Sequence, residues 1–179
     1  MMNSIGHFNM NDENKAYCAS ISMRKLHGKK MQNEIAIKYS KWLGVSLDMI
    51  VFVCLEKTDS LLHFLKTKTP FSEPHIKEKG GFYIYTENKE SVEHSIENLK
   101  KQFEDCSVIL IHENSEYTGG IKVHLKQAFS KAFELCQFEG EDMLLLSEDL
   151  KTGVILEHFR DRREDGTKDV YRFAAWQDQ

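Results

Sequence analysis

The stretch that most restricts how this chain can fold is its last third, where the apolar run Met143-Leu144-Leu145-Leu146 precedes two long strand-like segments. A run that is apolar on both faces suits a strand covered on both sides of a sheet, so a central position is expected for it. The segment from Asp149 to Gly153 turns the chain. Val154 to Asp161 and Lys168 to Trp176 then flank Asp165-Gly166, whose tolerance of positive φ suits a two-residue hairpin turn. Counting outwards from that turn pairs His158 with Phe173, Leu156 with Ala175 and Arg160 with Tyr171 on one face. The other face holds Ile155 opposite Trp176 and Phe159 opposite Arg172, with Glu157 placed diagonally to share the guanidinium. The expected product is a three-stranded antiparallel meander.

Upstream, Leu125, Phe129, Ala132, Phe133 and Cys136 recur at spacings of three and four, which predicts one amphipathic helix from Ile121 to a stop at Gly140. A second helix is expected from Asn88 to about Glu104, with a narrow seam of Val92, Ile96, Leu99 and Phe103. A third begins near Lys29 and ends at Gly44. Asp48 to Leu55, Phe82 to Tyr85 and Ser107 to Ile111 read as strands, and Tyr17 to Leu26 as a short edge strand. Thr58, Asp59 or Ser60 can cap a short helix, and Lys66 to Gly80, which holds both prolines, reads as a loop. Alternating strands and helices argue for parallel βαβ units. The expected fold is therefore α/β (mixed α+β), a single mixed sheet of about five or six strands with helices packed on it, ending in the meander. Residues 1–22 are expected to be a disordered tail and 23–179 one globular domain.

The net charge of −4 hides an asymmetry. Residues 1–80 carry 12 Lys and Arg against 8 Asp and Glu, whereas residues 81–179 carry 12 against 20. Six acids, Glu134, Glu139, Glu141, Asp142, Glu148 and Asp149, fall within sixteen residues that hold no base. A field of this sign repels nucleic acid and draws basic partners. The longest apolar run, Met49 to Leu55, is far too short to span a bilayer, and the polar N-terminus lacks a signal-peptide core, so a cytoplasmic protein is expected. Cys18, Cys54, Cys106 and Cys136 form no CxxC pair, and the eight histidines show no close ligand spacing; neither a metal nor a cofactor is implied.

One loop has the residue types of a catalytic site. His112 could act as general acid or base with Glu113 or Glu116, while Gly119-Gly120 and a following helix could receive an anion. No phosphate-loop, dinucleotide, zinc or nucleophile-elbow motif supports it, and no catalytic residue is assigned. Three classes of function follow. The first is a non-enzymatic partner-binding protein whose acidic surface masks a basic protein, a bacterial immunity protein neutralising a nuclease-type toxin being a concrete case. The second is a small-molecule hydrolase or transferase working at the His112–Gly120 loop. The third is a structural or regulatory homo-oligomeric subunit.

Overall fold

A computed structural model describes residues 12–136, 142–163 and 166–178. The chain opens with a long helix, α1 (Asp12–Leu43), and a short 3-10 turn, Leu47–Met49. There follow β1 (Val51–Phe52), α2 (Leu55–Lys68), α3 (Glu73–Glu78), β2 (Phe82–Thr86), α4 (Lys89–Gln102) and β3 (Ser107–Ile111). A one-turn helix, α5 (Ser115–Thr118), precedes β4 (Ile121–His124), α6 (Leu125–Ser130) and α7 (Ala132–Leu135). The meander β5 (Met143–Leu146), β6 (Thr152–Arg163) and β7 (Gly166–Gln177) closes the chain.

The seven strands form one sheet in the order β1-β4-β3-β5-β6-β7-β2. The α+β class, the single sheet and the meander are as the sequence predicts, and β5 is the central strand. Every pairing is antiparallel, however, so the expected parallel βαβ units are absent. The reason is that α4 does not return the chain beside β2. It crosses the sheet, and β2 ends as the outer neighbour of β7 while β3 lies on the far side of β5.

Alternation along the strands divides the apolar residues between two cores. On one face, Leu110, Leu145, Leu156 and Phe173 meet α1, α4, α6 and α7 through Tyr39, Ile96, Phe129 and Leu135. On the other, Ile109, Leu146, Ala174 and Trp176 meet α2 and α3 through Leu61 and Ile76. The result is three layers, helices on both sides of a sheet.

Three local expectations are corrected. Ile121 to His124 is a strand rather than the start of a helix: Ile121 and Val123 point in, Lys122 and His124 point out, a period of two. Residues 12–22 and Tyr17–Leu26, read as a tail and an edge strand, belong to α1. Ile21 is the one buried side chain described between residues 15 and 26, too little for a readable stripe, and α1 meets α2 here mainly through charge, with Arg24 bridging Asp59 at 2.6 Å and Lys25 reaching Glu56 at 3.1 Å. Asp48–Leu55 is a 3-10 turn plus a two-residue edge strand, and the 66–80 loop contains α3. By contrast, Asn88 caps α4 as expected, its side chain accepting from Ser91 N–H at 3.3 Å.

The hairpin turn lies one residue earlier than the sequence suggests, since Arg163 pairs with Gly166. Each partner therefore moves by two positions, and each side chain keeps its face. His158 stands opposite Tyr171, Leu156 opposite Phe173, Phe159 opposite Val170, and Glu157 directly opposite Arg172. Phe159 and Arg172 are not cross-strand partners.

Candidate functional site

Helices α2 and α3 cover only part of their face of the sheet: α3 packs on Trp176 and Ala174 of β7, and the cavity beyond them on β2, β7 and β6 is lined by no helix residue among those described. The register sets one row of side chains across this part of the sheet. Tyr85 on β2 faces Arg172 on β7, and Arg172 faces Glu157 on β6. Met143 pairs with Leu156, so one further step of the same register sets Asp142 across from Glu157. The row Tyr85–Arg172–Glu157–Asp142 spans three strand spacings, roughly 14 Å. Two residues along β6, Phe159 stacks on Tyr85 with ring centroids 5.9 Å apart. Tyr85 is 56% exposed and Phe159 36%, an aromatic pair left open to water. Together with Tyr83 these residues line a shallow cavity of about 460 Å³.

The charges in this row are unequal. Arg172 Nη2 donates to Glu157 Oε1 at 2.5 Å, and Arg172 Nε approaches Glu157 Oε2, so both carboxylate oxygens of Glu157 are engaged. Asp142 has no hydrogen-bond or ion-pair partner among the described residues. It keeps solvent access on one side, yet surrounding protein atoms strip part of its hydration and push its carboxyl up to about 6, helped by the nearby Glu157 and opposed by Arg172. An unpaired carboxylate under such pressure is better placed to meet a cation than to stabilise the fold.

The pH consequence has a definite sign. Folded Asp142 holds its proton more tightly than the unfolded chain does, because its value lies above the ordinary 3.8. The stability this gives is present below the ordinary value and is lost as pH rises through about 6. Asp142→Asn is therefore expected to unfold at higher temperature than the wild type at pH 7.5, by up to about 1 kcal/mol after solvent screening. Thermal melts near pH 4 should show the difference shrinking towards zero; a pH-independent difference would contradict this account.

Those acids of the charge run that lie among the described residues do not share one surface. Asp142 precedes β5 and Glu148 follows it, so the two lie roughly 20 Å apart at opposite ends of the strand. Glu148 bridges Lys57 at 2.5 Å, which holds its carboxyl below the usual range. Asp149 is lowered likewise, by accepting from Ser147 Oγ at 2.6 Å and Lys151 N–H at 3.1 Å in the β5–β6 turn. Glu134 pairs with Lys131 on α7 at 3.2 Å. Glu139 and Glu141 lie outside the described residues.

The His112 loop has a different character. His112 is buried between α1 and the sheet, its ring 5.3 Å from that of Tyr39. Asn114 N–H donates to its Nδ1 at 3.3 Å, which leaves Nε2 to carry the proton towards the Gly119 carbonyl at 3.2 Å. Both ring nitrogens are thus used in closing the loop. Glu113 and Glu116 point outward and are exposed. The loop joins antiparallel β3 to β4 through a single turn, not a parallel strand to a long helix, and so lacks the switch-point setting that suggested a site. His112→Ala is expected to cost roughly 1–3 kcal/mol in denaturant unfolding, the penalty for orphaned buried hydrogen-bonding groups. Loss of an enzymatic activity at unchanged stability would instead restore a catalytic role.

A cleft of about 880 Å³ opens beside the β5–β6 turn and includes Glu148 and Asp149. Its polar groups mostly serve one another. Gln177 clamps the end of α4, donating to the Glu104 carbonyl at 3.0 Å and accepting from Glu104 N–H at 2.7 Å, while Thr152 N–H donates to Ser147 Oγ at 2.9 Å. Among the described residues no group of three or more His, Cys, Asp and Glu is arranged to hold a metal ion. Cys136 is buried, and its thiol is pushed up to about 11 by that burial. No helix among the described residues is long and apolar enough to cross a membrane.

Sequence reading placed Glu157 diagonally beside Arg172 and singled out Asp142 in the acidic run, but did not join Asp142 or Tyr85 to that pair. The missed signal is the alternation of β2, in which Phe82 and Ile84 share the core-facing side and Tyr83 and Tyr85 the other. No curated protein and no solved structure matches the chain. A protein family does match, over residues 44–163, a span that includes Tyr85, Asp142, Glu157 and Phe159. With more than half of its length inside that match, the chain belongs to the YxiF protein family.

Proposed function

We propose that this chain is a non-enzymatic partner-binding protein that masks a basic protein, using the Tyr85–Arg172–Glu157–Asp142 row of its sheet. The observation that carries the reading is Asp142, a carboxylate with no hydrogen-bond or ion-pair partner among the described residues, in a shallow cavity that also holds the exposed Tyr85 and Phe159. Opposite charge speeds the encounter, and the exposed Tyr85 and Phe159 supply apolar area at the centre of contact. The excess of acids in residues 81–179 extends the same field around the site. A bacterial immunity protein neutralising a nuclease-type toxin is a concrete case, because a basic catalytic cleft is the natural complement of such a face.

The test is a pull-down with tagged protein from lysate of the native cell, eluted in rising salt, run in parallel for the wild type and Asp142→Lys. The wild type should retain a basic protein near one to one, released as ionic strength passes the physiological ~0.15 M. Asp142→Lys should recover about tenfold less while melting no earlier than the wild type, as expected for reversing a contact charge. Equal recovery by both proteins would remove this face from the reading.

Self-association is a second reading, favoured by α1, where Met23 is 74% exposed and Leu26 69%. Light scattering decides it. A monomer at all concentrations would end that reading.

A further inference from the structure

We infer that the row Tyr85–Arg172–Glu157–Asp142 is a receptor for an arginine side chain on an extended basic segment of the partner, with Asp142 as its anchor. The inference rests on the masking role proposed above and adds the chemistry of recognition.

Three features fix the ligand class. The first is charge: two carboxylates face one guanidinium, and that guanidinium already engages both oxygens of Glu157. Asp142 is thus the group left to accept a second cation. The second is shape. A row roughly 14 Å wide, along a cavity of about 460 Å³, is too broad for a lone ion and suits a side chain with its flanking backbone. The third is the exposed aromatic pair, Tyr85 and Phe159, which offers apolar area to the residues that flank this side chain in an extended segment.

Arginine meets these demands better than lysine. Its guanidinium can donate two parallel N–H groups in its plane to the Asp142 carboxylate, whereas an ammonium supplies a point charge without a fork. The row itself already shows the arrangement once, in the forked contact of Arg172 with Glu157. The partner's arginine would repeat it one strand further along. Of the other charged or titratable groups beside the cavity, His158 is held by Asp169 Oδ1 at 3.0 Å on the opposite face and does not compete.

The experiment titrates isotopically labelled full-length protein with hexa-arginine, hexa-lysine and hexa-glutamate, followed by amide chemical shifts. Hexa-arginine should perturb the residues around Tyr85, Asp142, Glu157 and Phe159, and hexa-lysine should bind at least about threefold more weakly. Asp142→Asn should lower the hexa-arginine affinity about tenfold, equivalent to ~1.4 kcal/mol, while its spectrum stays dispersed. Tyr85→Ser, an exposed change, provides an independent loss. Shifts centred instead on Glu148 and Asp149, equal binding of the two basic peptides, or undiminished affinity in Asp142→Asn would each overturn the inference. The pull-down separates this from the masking role. Partner capture that depends on Asp142 without hexa-arginine binding would sink the receptor and leave masking intact. Asp142-dependent hexa-arginine binding with Asp142-independent capture would do the reverse.

Discussion

Trp176→Ala is expected to destabilise the protein by about 3–5 kcal/mol, the range for removing a large buried aromatic. The indole is fully buried and joins three parts of the fold. Its ring lies 5.1 Å from that of Phe71 and 5.9 Å from that of His75, on the segment that carries α3. Gly153 on the neighbouring strand lies flat beneath it, so close that a Cβ there would sit 2.1 Å from the indole edge. Its Nε1–H reaches the Leu150 carbonyl in the β5–β6 turn at 3.5 Å. Truncation would leave a cavity walled by a rigid sheet on one side and a short helix on the other, and only the helix could relax. Urea unfolding of the variant should show a lower midpoint at an unchanged slope, because the same surface is exposed. A loss below about 1 kcal/mol would mean that α3 does not pack here as described.

Gly119→Ala should cost about 2–5 kcal/mol, far more than one methyl group normally does. Two effects combine. Gly119 has φ +84, a conformation that costs an L-residue roughly 1–2 kcal/mol. A Cβ there would also sit 1.9 Å from the Val53 carbonyl oxygen, and backbone cannot swing aside as a side chain can. Overpacking of this kind adds about 1–3 kcal/mol. The strain falls where Val53 N–H donates to Gly120 O at 2.8 Å and Gly120 N–H to Thr58 Oγ1 at 3.0 Å, so the β1 edge and the start of α2 should loosen with it. Gly44→Ala is the control. With φ +67 but nothing within 4 Å of the added carbon, it should cost only about 1 kcal/mol in the same measurement.

These variants also bear on the His112 loop. Gly119, His112 and Thr118 are bound into one knot under α1, where Gly28 lets the helix backbone approach so closely that a Cβ would meet the Tyr117 carbonyl at 2.0 Å. A histidine and two glycines in a strand-to-helix setting have the composition of a catalytic loop. Three dimensions turn the same residues inward as a structural clasp.

How much was legible depended on how local the deciding interaction is. The α4 helix was readable because its cap, Asn88, and its seam of Val92, Ile96 and Leu99 lie within a few turns of one another. The meander was readable because adjacent strands pair with their neighbours in sequence, and alternation fixed which side chains share a face even though the turn lay one residue earlier. The first half of α1 was not readable, since its partners Asp59 and Glu56 are over thirty residues away. Nor was β4, whose four residues continue into a helical pattern.

The candidate site marks the boundary between what the chain encodes locally and what folding adds. By itself the sequence determined the α+β class, the central place of Met143–Leu146, the antiparallel ending and the acidic bias of the second half, because periodicity and charge are properties of neighbouring residues. Only the tertiary structure decided that Asp142 and Glu148, close in sequence, would stand at opposite ends of a strand. It alone brought Tyr85, Arg172, Glu157 and Asp142, from four separate segments, into one row. Sheet order and register are set by long-range packing of two opposing cores, and no window of the chain contains both.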